Sequence, residues 1–139
     1  MIPLTSKLEN VERTYSGVVG ELTRHGFTLG GNWDYDHGYF DQALDERRQV
    51  WLRVPFRVTG GSLNGEAAEV NEDTHILFGT PFVLKHVYEE GIDEDGRSGP
   101  LRSLVDQFQD PADQDADVEH HWVELARQHL HELEQALLH

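Results

Sequence analysis

The sequence predicts an α+β domain built as two layers, a mainly antiparallel sheet with helices packed on one of its faces. Three observations support this. Residues 50–58 alternate without a break, with Val50, Leu52, Val54, Phe56 and Val58 on one side and Trp51, Arg53, Pro55 and Arg57 on the other. Residues 117–138 carry apolar side chains at helical spacing instead. The order along the chain is strand, helix, a run of strands, then helices, without the strand–helix alternation of a parallel sheet.

The first strand is expected over Ile2 to Leu8, where Leu4, Ser6 and Leu8 share a face and Pro3 marks an edge position. A helix follows on the recurrence of Val11, Tyr15, Val18, Val19 and Leu22, ending at Gly26. A cap at Ser16 places Gly17 and Gly20 in the first turn, where glycine costs least. From Phe27 the period becomes two: Phe27, Leu29, Gly31 and Trp33 share a side. After a turn at Asp36-His37-Gly38, Phe40, Gln42 and Leu44 answer them. A second turn at Glu46-Arg47-Arg48 leads into strand 50–58. The apolar stretch His75 to Tyr88 is interrupted at Gly79-Thr80-Pro81, and Pro81 cannot donate a ladder hydrogen bond. A bulge or two short strands in sequence are therefore expected there.

The segment at about 89–116 reads as an acidic loop with a short helix, in which Leu101, Leu104, Val105 and Phe108 follow Pro100. A C-terminal helix at about 117–138 bears Val118, Trp122, Leu125, Ala126, Leu130, Leu133 and Leu137 on one stripe. With 139 residues, no internal repeat and no linker, residues 1–139 are read as a single domain.

Composition removes several classes of function. There is no cysteine, which excludes disulfides, thiolate metal sites and cysteine nucleophiles. The 26 acidic residues outnumber 11 basic ones for a formal charge of -15, so phosphate backbones and anionic membranes are repelled. Neither nucleic acid nor membrane is expected as a partner. The opening residues show no basic stretch followed by an apolar one, and a cytoplasmic location is the simplest expectation.

If the two hairpins pair through their apolar sides, Trp33 lies beside Phe40, Phe40 beside Val54, and Asp41 across from Arg53. Asp34, Tyr39, Asp41, Trp51, Arg53 and Arg57 then share the opposite face, a mixture suited to a dimer interface or an anionic ligand. A solvated face laced by cross-strand pairs is the plainer alternative. Asp34-Tyr35-Asp36-His37 offers two carboxylates and an imidazole, but Asp36 and His37 also suit a turn. His75 and His86 flank the interruption in their strand and are read as hydrogen-bonded core residues. Asp113-Gln114-Asp115-Ala116-Asp117 imitates the start of a calcium loop, yet Val118 stands where the sharp turn needs glycine. On the last helix His120 and His131 are about 16 Å apart along the axis and cannot share a metal. No catalytic residue, metal site or cofactor is assigned.

The stretch Gly26 to Asp41 containing Gly30-Gly31-Asn32-Trp33-Asp34-Tyr35-Asp36-His37-Gly38, with Leu52-Arg53-Val54-Pro55-Phe56 and Gly79-Thr80-Pro81-Phe82-Val83-Leu84-Lys85-His86, resembles the YugN-like family of bacilli and their relatives. The resemblance implies an intracellular bacterial protein with a two-layer α+β fold. It supplies no catalytic residues.

The leading expectation is a non-catalytic interaction protein that forms a homodimer through the face around Trp51 and Tyr39. The alternative is a small-molecule binding domain or enzyme with a pocket between sheet and helices, using Asp34, His37, Arg53 or His86. Divalent-cation binding by the acidic residues from Glu89 to Asp117 is a third.

Overall fold

The computed structural model describes residues 1–30, 36–60, 74–86 and 118–138, together with the backbone of 63–64 and 69–70. The expected short helix after Pro100, the calcium-loop imitation, and residues Trp33 and Asp34 lie outside the described residues.

The sheet is organised on β5 (Val50–Gly60), the longest strand. Its alternation is the one read from the sequence: Val50, Leu52, Val54 and Phe56 are buried while Trp51, Arg53 and Pro55 are half-covered and Arg57 is exposed. Each of these buried side chains contributes about 1.5–3 kcal/mol on leaving water. β4 (His37–Ala43) runs antiparallel along one edge of β5, pairing Phe40 with Val54 and Asp41 with Arg53, as expected. β3 (Thr28–Leu29) completes that side. Here one expectation is corrected. Leu29 stands opposite Phe40 in the place assigned to Trp33, and His37 and Gly38 belong to β4 rather than to a turn.

Along the other edge of β5 lie two short strands end to end, β9 (Phe82–Lys85) against Val50 to Arg53 and β8 (His75–Phe78) against Phe56 to Gly60. The break at Gly79-Thr80-Pro81 has a chemical cause on both sides. Pro55 has no N–H to offer across this edge, although its carbonyl accepts from Gly79 N–H at 2.8 Å. Pro81 likewise cannot donate, and its carbonyl accepts from Leu4 N–H at 2.8 Å.

The outermost layer repeats the interruption. β1 (Ile2–Pro3) pairs with β9 and β2 (Glu12–Thr14) with β8. The expected first strand therefore holds only at its start. Leu4, Ser6 and Leu8 are all buried, but on a loop between β1 and β2 rather than on a strand. β6 (Leu63–Asn64) and β7 (Glu69–Val70) pair with each other as a separate ribbon.

Helix α1 (Tyr15–Arg24) has its cap two residues before the expected one. Thr14 is the N-cap, its hydroxyl accepting from Gly17 N–H at 3.2 Å, because the chain leaves β2 there and turns directly into the helix. It ends where glycine was expected. Gly26 adopts φ 87°, Gly26 N–H reaches Thr23 O at 3.0 Å and Phe27 N–H reaches Leu22 O at 2.9 Å, the Schellman arrangement.

Helix α2 (His120–Leu137) buries Val123, Ala126, Leu130 and Leu133. These residues, Val18 and Leu22 of α1, and the inner side chains of β4, β5, β8 and β9 form one hydrophobic core, so both helices lie on one face of the sheet. Tyr15 joins this core over Phe40, with ring centroids 5.8 Å apart, and Phe40 in turn meets Phe56 at 4.9 Å.

Candidate functional site

The sheet face turned away from the helices carries the chemistry singled out from the sequence. Strand alternation brings Tyr39 and Asp41 of β4 to this side, beside Trp51, Arg53 and Arg57 of β5. Three of these side chains are mutually engaged. Arg53 donates from Nε to Asp41 Oδ1 at 2.8 Å and from Nη2 to Oδ2 at 3.1 Å, a bidentate fork. Its guanidinium carbon lies 4.8 Å from the centre of the Tyr39 ring. Asp41 is only 8% exposed although it sits on the outer face. Gly30 makes room for it, since a Cβ on Gly30 would stand 2.8 Å from Asp41 Oδ2.

Trp51 extends the patch. Its indole N–H donates to Arg48 O at 2.9 Å, and the Arg48 guanidinium lies 5.0 Å from the ring centre. Arg48 can reach over because the turn places it at φ 58°, with Asp45 Oδ1 accepting from Gln49 N–H at 2.8 Å and Val50 N–H at 2.9 Å. On the neighbouring strand Leu84 pairs with Trp51 and is buried on this same outer side, apart from the main core. Arg57 lies toward the other end of β5, opposite His37.

The residues weighed for a pocket between sheet and helices are not gathered there. Arg53 and His37 are on the outer face, and the Nδ1 of His37 lies 2.9 Å from Asp36 Oδ1. His86 follows β9 near the start of β5, where its N–H donates to Gln49 O at 2.7 Å. About seven strand residues, on the order of 23 Å, separate that end from His37. His75, expected in the core, is exposed at the start of β8, between Gly60 and Thr14. Among the described residues no group of three or more histidines and carboxylates could hold a metal ion.

Two polar clusters on the helical side escaped the sequence reading. Gln42 occupies an inward position of β4, where its Nε2 donates to His25 O at 2.7 Å and its Oε1 lies 2.8 Å from His129 Nδ1. It thereby ties the end of α1 to α2. Glu134 is buried in α2 and accepts from Ser6 Oγ at 2.7 Å and Lys7 N–H at 3.0 Å. A glutamate at i+4 from Leu130 and i+8 from Ala126 was the available signal. At the start of α2 Glu119 receives Lys85 Nζ at 2.6 Å, and this hydrogen bond holds its carboxyl below the ordinary value of 4.5.

Comparison with known proteins gives concordant results. The family model described as the YugN-like family matches residues 3–137. A relative in Bacillus subtilis (strain 168), named as the uncharacterized protein YugN, is 33% identical over 140 residues, covering 100% of this chain and 100% of the relative. The crystal structure of the uncharacterized conserved protein YugN from Geobacillus kaustophilus HTA426 aligns with a TM-score of 0.67 at 18% identity, over 99% of this chain and 95% of that one. That likeness is one of fold. No described helix is long and apolar enough to cross a membrane.

Proposed function

The chain belongs to the YugN-like family, and we propose that it is a cytoplasmic, non-catalytic interaction protein that self-associates as a dimer through the outer sheet face around Tyr39, Trp51 and Arg53. The observation that carries this reading is the Arg53 guanidinium, forked onto the Asp41 carboxylate with its carbon 4.8 Å from the centre of the Tyr39 ring. Both oxygens of Asp41 are occupied by Arg53, which suits a rigid contact surface better than a general acid or base whose proton must move. Aromatic residues with arginine are the composition enriched at the centres of interfaces. Trp51 adds an anchor whose indole N–H already has its acceptor in Arg48 O, so covering the ring strands no donor. Little side-chain freedom remains to be lost on docking, which lowers the entropic cost of association.

Sedimentation velocity at micromolar concentration tests the proposal. A dimer is expected, with Trp51→Ala shifting the population toward monomer. A strictly monomeric chain that Trp51→Ala leaves unchanged would overturn it.

A further inference from the structure

Where β8 breaks from β9, the outer face of the sheet is hollow. Gly79 has no side chain to fill the space above it, and Pro55, Phe56, Leu77 and Phe78 line a depression of ≈260 Å³. The walls are apolar, but two polar side chains stand with them. Arg57 pairs with Leu77 across β5 and β8, is exposed, and makes no ion pair among the described residues. Asn10, which also lines the hollow, adopts φ 66° and uses its backbone N–H on Phe78 O at 2.8 Å, and its carboxamide has no partner among the described residues. Glu12, the carboxylate nearest on β2, pairs beside Leu77 and is engaged by the Thr59 hydroxyl.

A guanidinium with no ion pair among the described residues, beside a small apolar depression, complements one chemical class: an anionic group attached directly to a compact apolar body. A cavity of about 150 Å³ suffices for benzene, and drug-sized ligands take about 300–1,000 Å³. The hollow lies between these limits. We propose that it is a binding site for a small apolar monocarboxylate, with the carboxylate on Arg57, the apolar body over Gly79 between Pro55 and Leu77, and the Asn10 carboxamide donating to a carboxylate oxygen. Arginine matches a carboxylate with parallel N–H donors, which makes the site selective for the acid over its neutral analogue. The site adjoins the Tyr39–Arg53 patch but does not depend on self-association, and its test reads ligand binding alone.

Phenylacetate and neutral phenylacetamide serve as probes of equal shape, titrated into the full chain while backbone amide resonances are followed by NMR. Phenylacetate is expected to shift the Leu77, Phe78 and Gly79 amides saturably at millimolar concentration, with phenylacetamide binding about tenfold more weakly. Arg57→Gln, an exposed substitution compatible with folding, is expected to abolish the preference for the acid, and Arg57→Lys to restore part of it. Shifts that are absent, that are equal for acid and amide, or that survive Arg57→Gln unchanged would overturn the proposal.

Discussion

Asp41 and Arg53 face each other across β4 and β5, joined by two hydrogen bonds of 2.8 and 3.1 Å, on the side of the sheet away from the hydrophobic core. An ion pair on a solvated sheet face contributes little, because water competes for both partners. This one differs in that the carboxylate is nearly enclosed, with the Tyr39 ring over the arginine and the backbone of Gly30 close to the aspartate.

Asp41→Ala is therefore expected to cost about 2 kcal/mol, below the figure for a deeply buried pair because Arg53 remains partly exposed. Gly30→Ala should cost about 1–3 kcal/mol by pressing a methyl group on Asp41 Oδ2. In the Asp41→Ala background most of the Gly30→Ala penalty should vanish. Chemical denaturation of the two single variants and the double variant measures that coupling.

Glu134 fastens the loop of residues 4–8 to α2. Glu134→Ala leaves the Ser6 hydroxyl and Lys7 N–H without their acceptor and should destabilise by about 2–3 kcal/mol in denaturant melts. Glu134→Gln retains an oxygen acceptor and should cost clearly less. Equal losses for the two substitutions would show that the carboxylate's charge, rather than an oxygen acceptor alone, is what holds the loop there.

The acid limb of stability should report on Glu119. Its carboxyl lies below 4.5 in the folded chain, chiefly through the hydrogen bond from Lys85. The folded state thus binds its proton less readily than the unfolded one. The resulting contribution is fully present above about pH 4.5 and is lost as pH falls through the folded value. Lys85→Met should raise the Glu119 value toward 4.5 in a carboxyl NMR titration and flatten this limb. Glu9, lowered by hydrogen bonds from Ser6 N–H and Thr80 Oγ1, should titrate unchanged in that variant.

At alkaline pH the sign reverses for Tyr15. Burial raises its hydroxyl above the ordinary value of 10.0, so the folded state holds the proton longer than the unfolded chain. Its contribution is complete below about pH 10 and is lost as pH rises through the folded value. Ultraviolet titration of phenolate should show a late-ionising tyrosine that disappears in Tyr15→Phe. That substitution should also soften the alkaline loss of stability while leaving the contact with Phe40 in place.

Gln42 predicts a coupling between the helices. With its amide spanning His25 O and His129 Nδ1, Gln42→Leu should destabilise by about 1–2 kcal/mol despite its inward, apolar-facing position. A stabilising outcome in thermal melts would mean that the two hydrogen bonds contribute less than the apolar surface that leucine adds.

Much of the fold was legible because strand faces follow from a period of two. Once Val54 and Phe40 point inward, Asp41 and Arg53 must point outward, and pairing through the apolar sides places them opposite each other. The end of α1 was legible for a similarly local reason, since Gly26 is suited to the left-handed residue that closes the helix. The start of α1 was harder. Thr14 and Ser16 are both competent caps, and the choice fell to Thr14 because β2 pairs with β8 up to that residue. That Leu29 rather than Trp33 meets Phe40 is not legible, because the alternating pattern of residues 27–33 fits equally well when shifted by two or four residues.

The sequence by itself determined which side of its strand or helix each residue occupies, because that depends only on backbone period and on the few residues around a turn. The tertiary structure alone decided which distant groups meet. The enclosure of Asp41 by Gly30, the capture of Glu134 by Ser6 and Lys7, the bridge from Gln42 to His129, and the hollow left above Gly79 all join segments far apart in the chain. Burial of a polar group is set by what the rest of the chain places against it, and local periodicity carries no record of that partner.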